Sequence, residues 1–147
     1  MLASEFINTM FFGMVLSNCG RYGSPTMENM QIIYESMYTH LPRIYCKDGF
    51  NISVQVSNGN YCESENGTRT FGLNWVEVEW GFPSEPIDAE KFNAESRPTT
   101  ESVGGYVDVK LIDELCEQHG GIDLQTTLSK GVNVLKWVPS HVQGLKC

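Results

Sequence analysis

Two arginines and a few hydroxyl, amide and aromatic side chains are the residues best suited to chemistry here, and that chemistry is recognition of a phosphorylated ligand. The chain has four arginines; Arg69 lies in the polar string ESENGTRT and Arg97 opens RPTT. A guanidinium offers forked donors that match phosphate oxygens, and Thr70 and Thr99 add hydroxyl donors beside them. Asn74 can read a base edge or a ribose hydroxyl, since an amide both donates and accepts. Tyr61, Phe82 and Tyr106 stand within a few residues of turn signals, where a ring can project into a cleft and stack on a base. The pair Gly104-Gly105 suggests a bulge or a close approach by backbone or ligand, and Gly105 joins the set on that ground. The expected ligand-binding residues are therefore Tyr61, Arg69, Thr70, Asn74, Phe82, Arg97, Thr99, Gly105 and Tyr106. No catalytic residue, metal ligand or cofactor is expected. The plainer reading of Arg69 and Arg97 is that they are solvated loop arginines.

Other reactive types are present without a supporting pattern. Glu77 and Glu79 project from one strand face, roughly 7 Å apart by strand rise. Paired acids can hold a metal or work as acid and base, but solvation on an exposed face is the simpler role. His40, His119 and His141 stand near element ends, and His119 falls where a cation suits a helix dipole. A Cys62–His119 pair would have the types of a thiol nucleophile and its base, but the spacing gives it no support. P-loop, G-x-S-x-G and H-E-x-x-H strings do not occur.

Net charge narrows the partners. Ten Lys and Arg stand against eighteen Asp and Glu, for a net charge of -8. A nucleic-acid binder needs a basic footprint, and anionic membrane surfaces are disfavoured for the same reason. The five cysteines are odd in number and show no C-x-x-C spacing, so free, mostly buried thiols in a reducing cytoplasm are expected. The first residues lack the basic region of a signal peptide, and no stretch reaches transmembrane length.

The elements that must position these residues read as α+β: an antiparallel sheet of four or five strands, two N-terminal helices and one or two C-terminal helices. One domain is expected over 1–147, with a helical pair at 1–42, sheet and helices at 43–138 and a mobile tail at 139–147. Residues 2–18 carry ridges Leu2, Phe6, Met10, Met14 and Ile7, Phe11, Val15, widened by Phe12 and Leu16. That surplus of apolar surface predicts self-association, as a dimer or a higher even oligomer. A second helix is expected from a Ser24 cap and Pro25, along Met27, Met30, Tyr34, Met37 and Leu41, to Pro42. Phe50–Ser57 and Trp75–Trp80 alternate with period two and are the best strands. Residues 84–102 form a long connection with at most a helical turn near Asp88–Phe92. Val103–Val107 is a short strand. Asp108 caps a helix through His119 that stops at Gly120, and Asp123 caps Leu124–Lys130. Val132–Val138 is a final strand.

The strings Asp48–Gln55, Tyr61-Cys62, Val76–Glu85, Pro98–Val107 and His119–Ile122 together resemble a pattern of small proteins encoded by tailed bacteriophages, and are similar to the phage Thoeris anti-defence sponge proteins. The resemblance covers residues 48–122. It implies an oligomeric nucleotide-binding protein in the cytoplasm of the infected host, which sequesters a cyclic ADP-ribose type signal or a cyclic oligonucleotide without degrading it. Two departures bear on pocket shape: Gly104-Gly105 stands where the pattern has one glycine, and Trp80 is inserted before GFPSE. The resemblance transfers no ligand contacts, so the candidate residues rest on their chemistry. Small size and acidity also fit a protein-binding inhibitor of a bacterial defence complex, of the anti-CRISPR kind. An enzyme acting on nucleotides has least support.

Overall fold

A computed structural model describes residues 1–22, 26–36, 40–67 and 74–130. The fold is α+β. Helix α1 spans Ala3–Tyr22 and α2 spans Met27–Ser36. Strands β1 (Ile44–Tyr45), β2 (Asn51–Gln55), β3 (Glu63–Ser64), β4 (Trp75–Gly81) and β5 (Val103–Asp108) form one antiparallel sheet. Helix α3 (Val109–Gln118) and α4 (Leu124–Lys130) close the described chain. The expected Val132–Val138 strand and the tail lie outside the described residues.

β4 is the centre of the sheet. Trp80 pairs with Val54 of β2 and with Gly104 of β5, so those strands lie on opposite edges. Glu77 likewise pairs with Glu63 of β3 and Asp108 of β5. β2 and β3 therefore share one edge of β4, end to end, with residues 56–62 leaving the ladder between them. Alternation buries Ile52 and Val54 on β2 and Val78 and Trp80 on β4. Trp75 breaks the expected alternation: it is buried although it has the parity of Glu77 and Glu79. The register shift between Glu63 and Ser64 supplies the reason, since an extra residue on β4 there turns Trp75 back to the core.

The apolar surplus of α1 is largely covered within the chain. Phe6, Ile7, Phe11, Met14 and Val15 are buried, and Phe12 and Leu16 are half-buried. α1 packs on α2, α3 and β4 together. Phe11 meets Trp75 edge-on at 5.3 Å and Tyr34 at 6.0 Å, so one aromatic cluster ties both helices to the sheet. Leu2 stays exposed instead of joining the ridge.

The second helix differs from expectation at both ends. Ser24 and Pro25 lie outside the described residues, and Thr26 caps Met27–Ser36 by accepting from the Asn29 N–H at 3.1 Å. Met27 is exposed rather than part of the buried stripe. Leu41 is buried outside any helix, because Gln55 holds both its N–H (2.7 Å) and its carbonyl (3.1 Å) and Pro42 disfavours helix before it.

The connection 84–102 is ordered by specific bonds. Trp80 Nε1 donates to the Phe92 carbonyl at 2.6 Å, Ala94 bridges Gly104, and Thr99–Glu101 forms a 3-10 turn. A side chain at Gly104 would lie 2.5 Å from both the Phe92 carbonyl and the Trp80 indole nitrogen. Asp108 caps α3 through the Lys110 N–H at 2.9 Å, and Gly120 takes φ +87 after it. Val109, Ile112, Leu115 and Cys116 face inward. Among the described residues, no helix is long and apolar enough to cross a membrane.

Candidate functional site

The site is built on a bulge in β5. Val78 pairs with Val107 but Trp80 pairs with Gly104, so β5 carries one residue more than β4 across this stretch. The extra residue is accommodated at Gly105-Tyr106, where Tyr106 takes φ +52, a left-handed conformation costly for a ring-bearing residue. The excursion at Ser57–Tyr61 reaches this bulge, and the Tyr106 N–H donates to the Tyr61 carbonyl at 2.9 Å. A β-carbon on Gly105 would stand 2.5 Å from that of Tyr61, so the close approach that paired glycines signal is made by Tyr61 itself.

The two rings then meet at 5.9 Å with planes 33° apart, and 55% of Tyr61 and 46% of Tyr106 remain exposed. Glu79 of β4 anchors the excursion: its carboxylate accepts from Asn60 Nδ2 at 2.5 Å and from the Tyr61 N–H at 3.4 Å. Asn93, at φ +54, donates from Nδ2 to the Gly105 carbonyl at 3.3 Å and supports the bulge from its other side. Neither Asn60 nor Asn93 carries a local sequence signal for this task. Their roles come from contacts with residues 19 and 12 positions away.

Beyond Glu79 the same sheet face is acidic. Glu63, Glu77 and Asp108 stand in register across three adjacent strands. Burial, then Glu63 beside it and Asp108, push the Glu77 carboxyl above its usual range. These acids rim a cleft of about 710 Å³ that also takes in Ser4, Asn74, Lys110 and Asp113.

The remaining candidates lie apart. Arg97 and Thr99 line a groove of about 370 Å³ with Pro86, Ile87, Asp88 and Glu90. Thr99 is buried, and its hydroxyl oxygen accepts from the Ile87 N–H at 3.0 Å, so it fastens the connection. Phe82 directly follows β4 with φ +50 and is 53% exposed; its N–H donates to the Ser102 carbonyl and its carbonyl accepts from Arg43. Asn74 belongs to the acid-lined cleft, a poor setting for phosphate. Arg69 and Thr70 lie outside the described residues. Among the described residues, then, the structure brings together Tyr61, Gly105 and Tyr106, and does not gather Asn74, Phe82, Arg97 and Thr99 around them.

The reactive types are also separated. Cys62 is buried, donates to the Ser57 carbonyl at 3.2 Å, and has its thiol pushed up to about 12, chiefly by burial. His119 instead pairs through Nδ1 with Asp48 at 2.7 Å and stacks on Phe50 at 4.0 Å. His119 also lines a groove of about 320 Å³ with Lys91, Glu114 and Gln118. Compared with protein-family models, curated proteins and solved structures, the chain matches none, and the resemblance to phage proteins rests on its sequence strings alone.

Proposed function

We infer that this chain is a binding protein whose working surface is the Tyr61–Tyr106 platform, and that it docks a cationic segment of a partner protein. The observation that carries the reading is the ring pair itself: two half-exposed aromatics held at 5.9 Å by a bulge in a left-handed conformation. Backbone strain held in place by surrounding contacts is a feature of functional surfaces. Aromatic faces attract guanidinium and ammonium groups, and the nearby Glu79 and the row Glu63, Glu77 and Asp108 favour the same charge. A net charge of -8 steers a cationic partner at long range. This is the mode of a protein-binding inhibitor, the alternative that small size and acidity also fit.

Calorimetry with an arginine-rich peptide, against a glutamate-rich control, tests it. Binding should weaken with salt, and Tyr61→Ala or Tyr106→Ala should weaken it about 3- to 30-fold. Equal binding of both peptides, or wild-type affinity in both variants, would overturn the reading.

One observation favours a second reading, nucleotide sequestration without turnover. Arg97 is exposed at a groove lined by Pro86, Ile87 and Pro98 together with the acids Asp88 and Glu90, and it makes no ion pair with them or any other of the described residues. That leaves a forked donor available to phosphate. Titration with cyclic ADP-ribose isomers and cyclic oligonucleotides should then give heat that Arg97→Ala lowers by one to two orders of magnitude in affinity. No heat with any of them would remove this reading.

A further inference from the structure

The ring platform and the acid row occupy one face of the sheet, a two-residue step apart. Directly opposed residues of an antiparallel pair project to the same side, so Glu77 shares a face with its partners Glu63 and Asp108. Glu79 has the parity of Glu77, and its carboxylate takes the Asn60 and Tyr61 donors that cross over β4 on that side. The bulged pair Gly105-Tyr106 falls opposite Glu79, between the Val78–Val107 and Trp80–Gly104 pairings. β4 therefore leads from Glu79 to Glu77 while β5 leads from Tyr106 to Asp108, each a step of roughly 7 Å. The acid row at the end of that step lacks a cation. Glu63, Glu77 and Asp108 make no ion pair among the described residues, although like charges opposed across strands cost stability. Asp113 of the same cleft is already engaged, accepting from the Ser4 N–H and hydroxyl, both at 2.7 Å. Among the described residues lining the cleft, Lys110 is the one cation, and it faces three remaining carboxylates.

We propose that the partner segment taken by this face is an extended chain with cationic residues at alternate positions, i and i+2. The proposal rests on the platform reading given above and adds the spacing. One cation stacks on the Tyr61–Tyr106 rings, and the next but one enters the cleft among Glu63, Glu77 and Asp108. Side chains i and i+2 of an extended chain point the same way and lie roughly 7 Å apart, which matches the step from Glu79 to Glu77. Cations at i and i+1, or at i and i+3, point to opposite sides of an extended chain and cannot fill both places at once. The cleft, at about 710 Å³, has room for a lysine or arginine side chain. The residue between the two cations points away from the sheet and contributes no charge to the contact.

The test is a set of chemical-shift titrations of the full-length chain with short peptides in a Gly-Ser background. Three peptides carry two arginines, at spacings i,i+1, i,i+2 and i,i+3, with length and charge held constant; a fourth carries two glutamates. The i,i+2 peptide should bind roughly 3- to 10-fold tighter than either of the other arginine peptides. Glu77→Gln should remove most of that spacing preference, and Glu63→Gln repeats the measurement in case the first variant fails to fold. Equal affinity for the three spacings, with the glutamate peptide still rejected, overturns the proposal and leaves the platform standing. Equal binding of arginine and glutamate peptides overturns the platform reading and the proposal with it. A spacing preference undiminished in both variants puts the second cation elsewhere and likewise overturns the proposal.

Discussion

Asp48 Oδ2 lies 2.7 Å from His119 Nδ1, joining two residues 71 positions apart. The contact latches the turn between β1 and β2 to the end of α3, and the Asp48 N–H donates to the His119 carbonyl alongside it. The Asp48 carboxyl also accepts from the Phe50 N–H at 2.9 Å, and that bond, followed by the one from His119, holds it below the usual carboxylate range.

That depression fixes the sign of an acid dependence. A carboxyl with a lowered folded pKa adds stability above its unfolded value, here 3.8, and loses it as pH falls through the folded value. Urea melts below that pH should show stability falling with acid, and Asp48→Asn should flatten this part of the profile. An unchanged slope in the variant would show that other carboxylates carry it.

Glu77 gives the opposite sign. Its pKa is raised above 4.5, so protonation favours the folded state and its penalty grows as pH rises through the folded value. Removing the like charge between Glu63 and Asp108 by Glu77→Gln should stabilise the protein at pH 7 by about 0.2–1 kcal/mol. The gain should disappear near pH 4. A loss of stability at pH 7 would reject this account.

Tyr106→Gly should separate fold from binding. Glycine relieves the φ of +52 and keeps the N–H bond to Tyr61, while adding unfolded-state entropy. These terms oppose each other, so stability should change by less than about 1 kcal/mol. Binding of a cationic peptide should nevertheless fall as in Tyr106→Ala. Unfolding of the glycine variant would mean that the ring is structural.

Gly104→Ala should cost about 1–3 kcal/mol, because the new methyl meets a backbone carbonyl and a buried indole that cannot both withdraw. Gly59→Ala is the control: its nearest neighbour, Ser57 Oγ, is 3.8 Å away, so its melting point should barely move. Equal melting points for the two variants would show that the Trp80–Phe92 contact yields freely.

Much of the architecture was legible because it is written locally. The Asp108 and Asp123 caps, the Gly120 stop, the inward stripe of α3 and the alternation of β2 each involve residues a few positions apart. The fold class follows from them. The two-residue strands Ile44–Tyr45 and Glu63–Ser64 were not legible, since so short a segment is defined by its partner and not by periodicity.

By itself the sequence determined that the chain is acidic, that two helices precede the sheet and helices follow its last strand, and that something approaches Gly104-Gly105 closely. Tertiary structure alone decided what approaches. The Trp80 indole meets Gly104 and Tyr61 meets Gly105, through pairings of residues 24 to 44 positions apart that no local pattern encodes. It also decided which candidate residues act together. Tyr61 and Tyr106 were brought to one bulge, while Asn74 went to an acidic cleft and Arg97 to a separate groove. A side chain's chemistry is set by its type, but its company is set by strand register, and one extra residue in β5 is enough to change it.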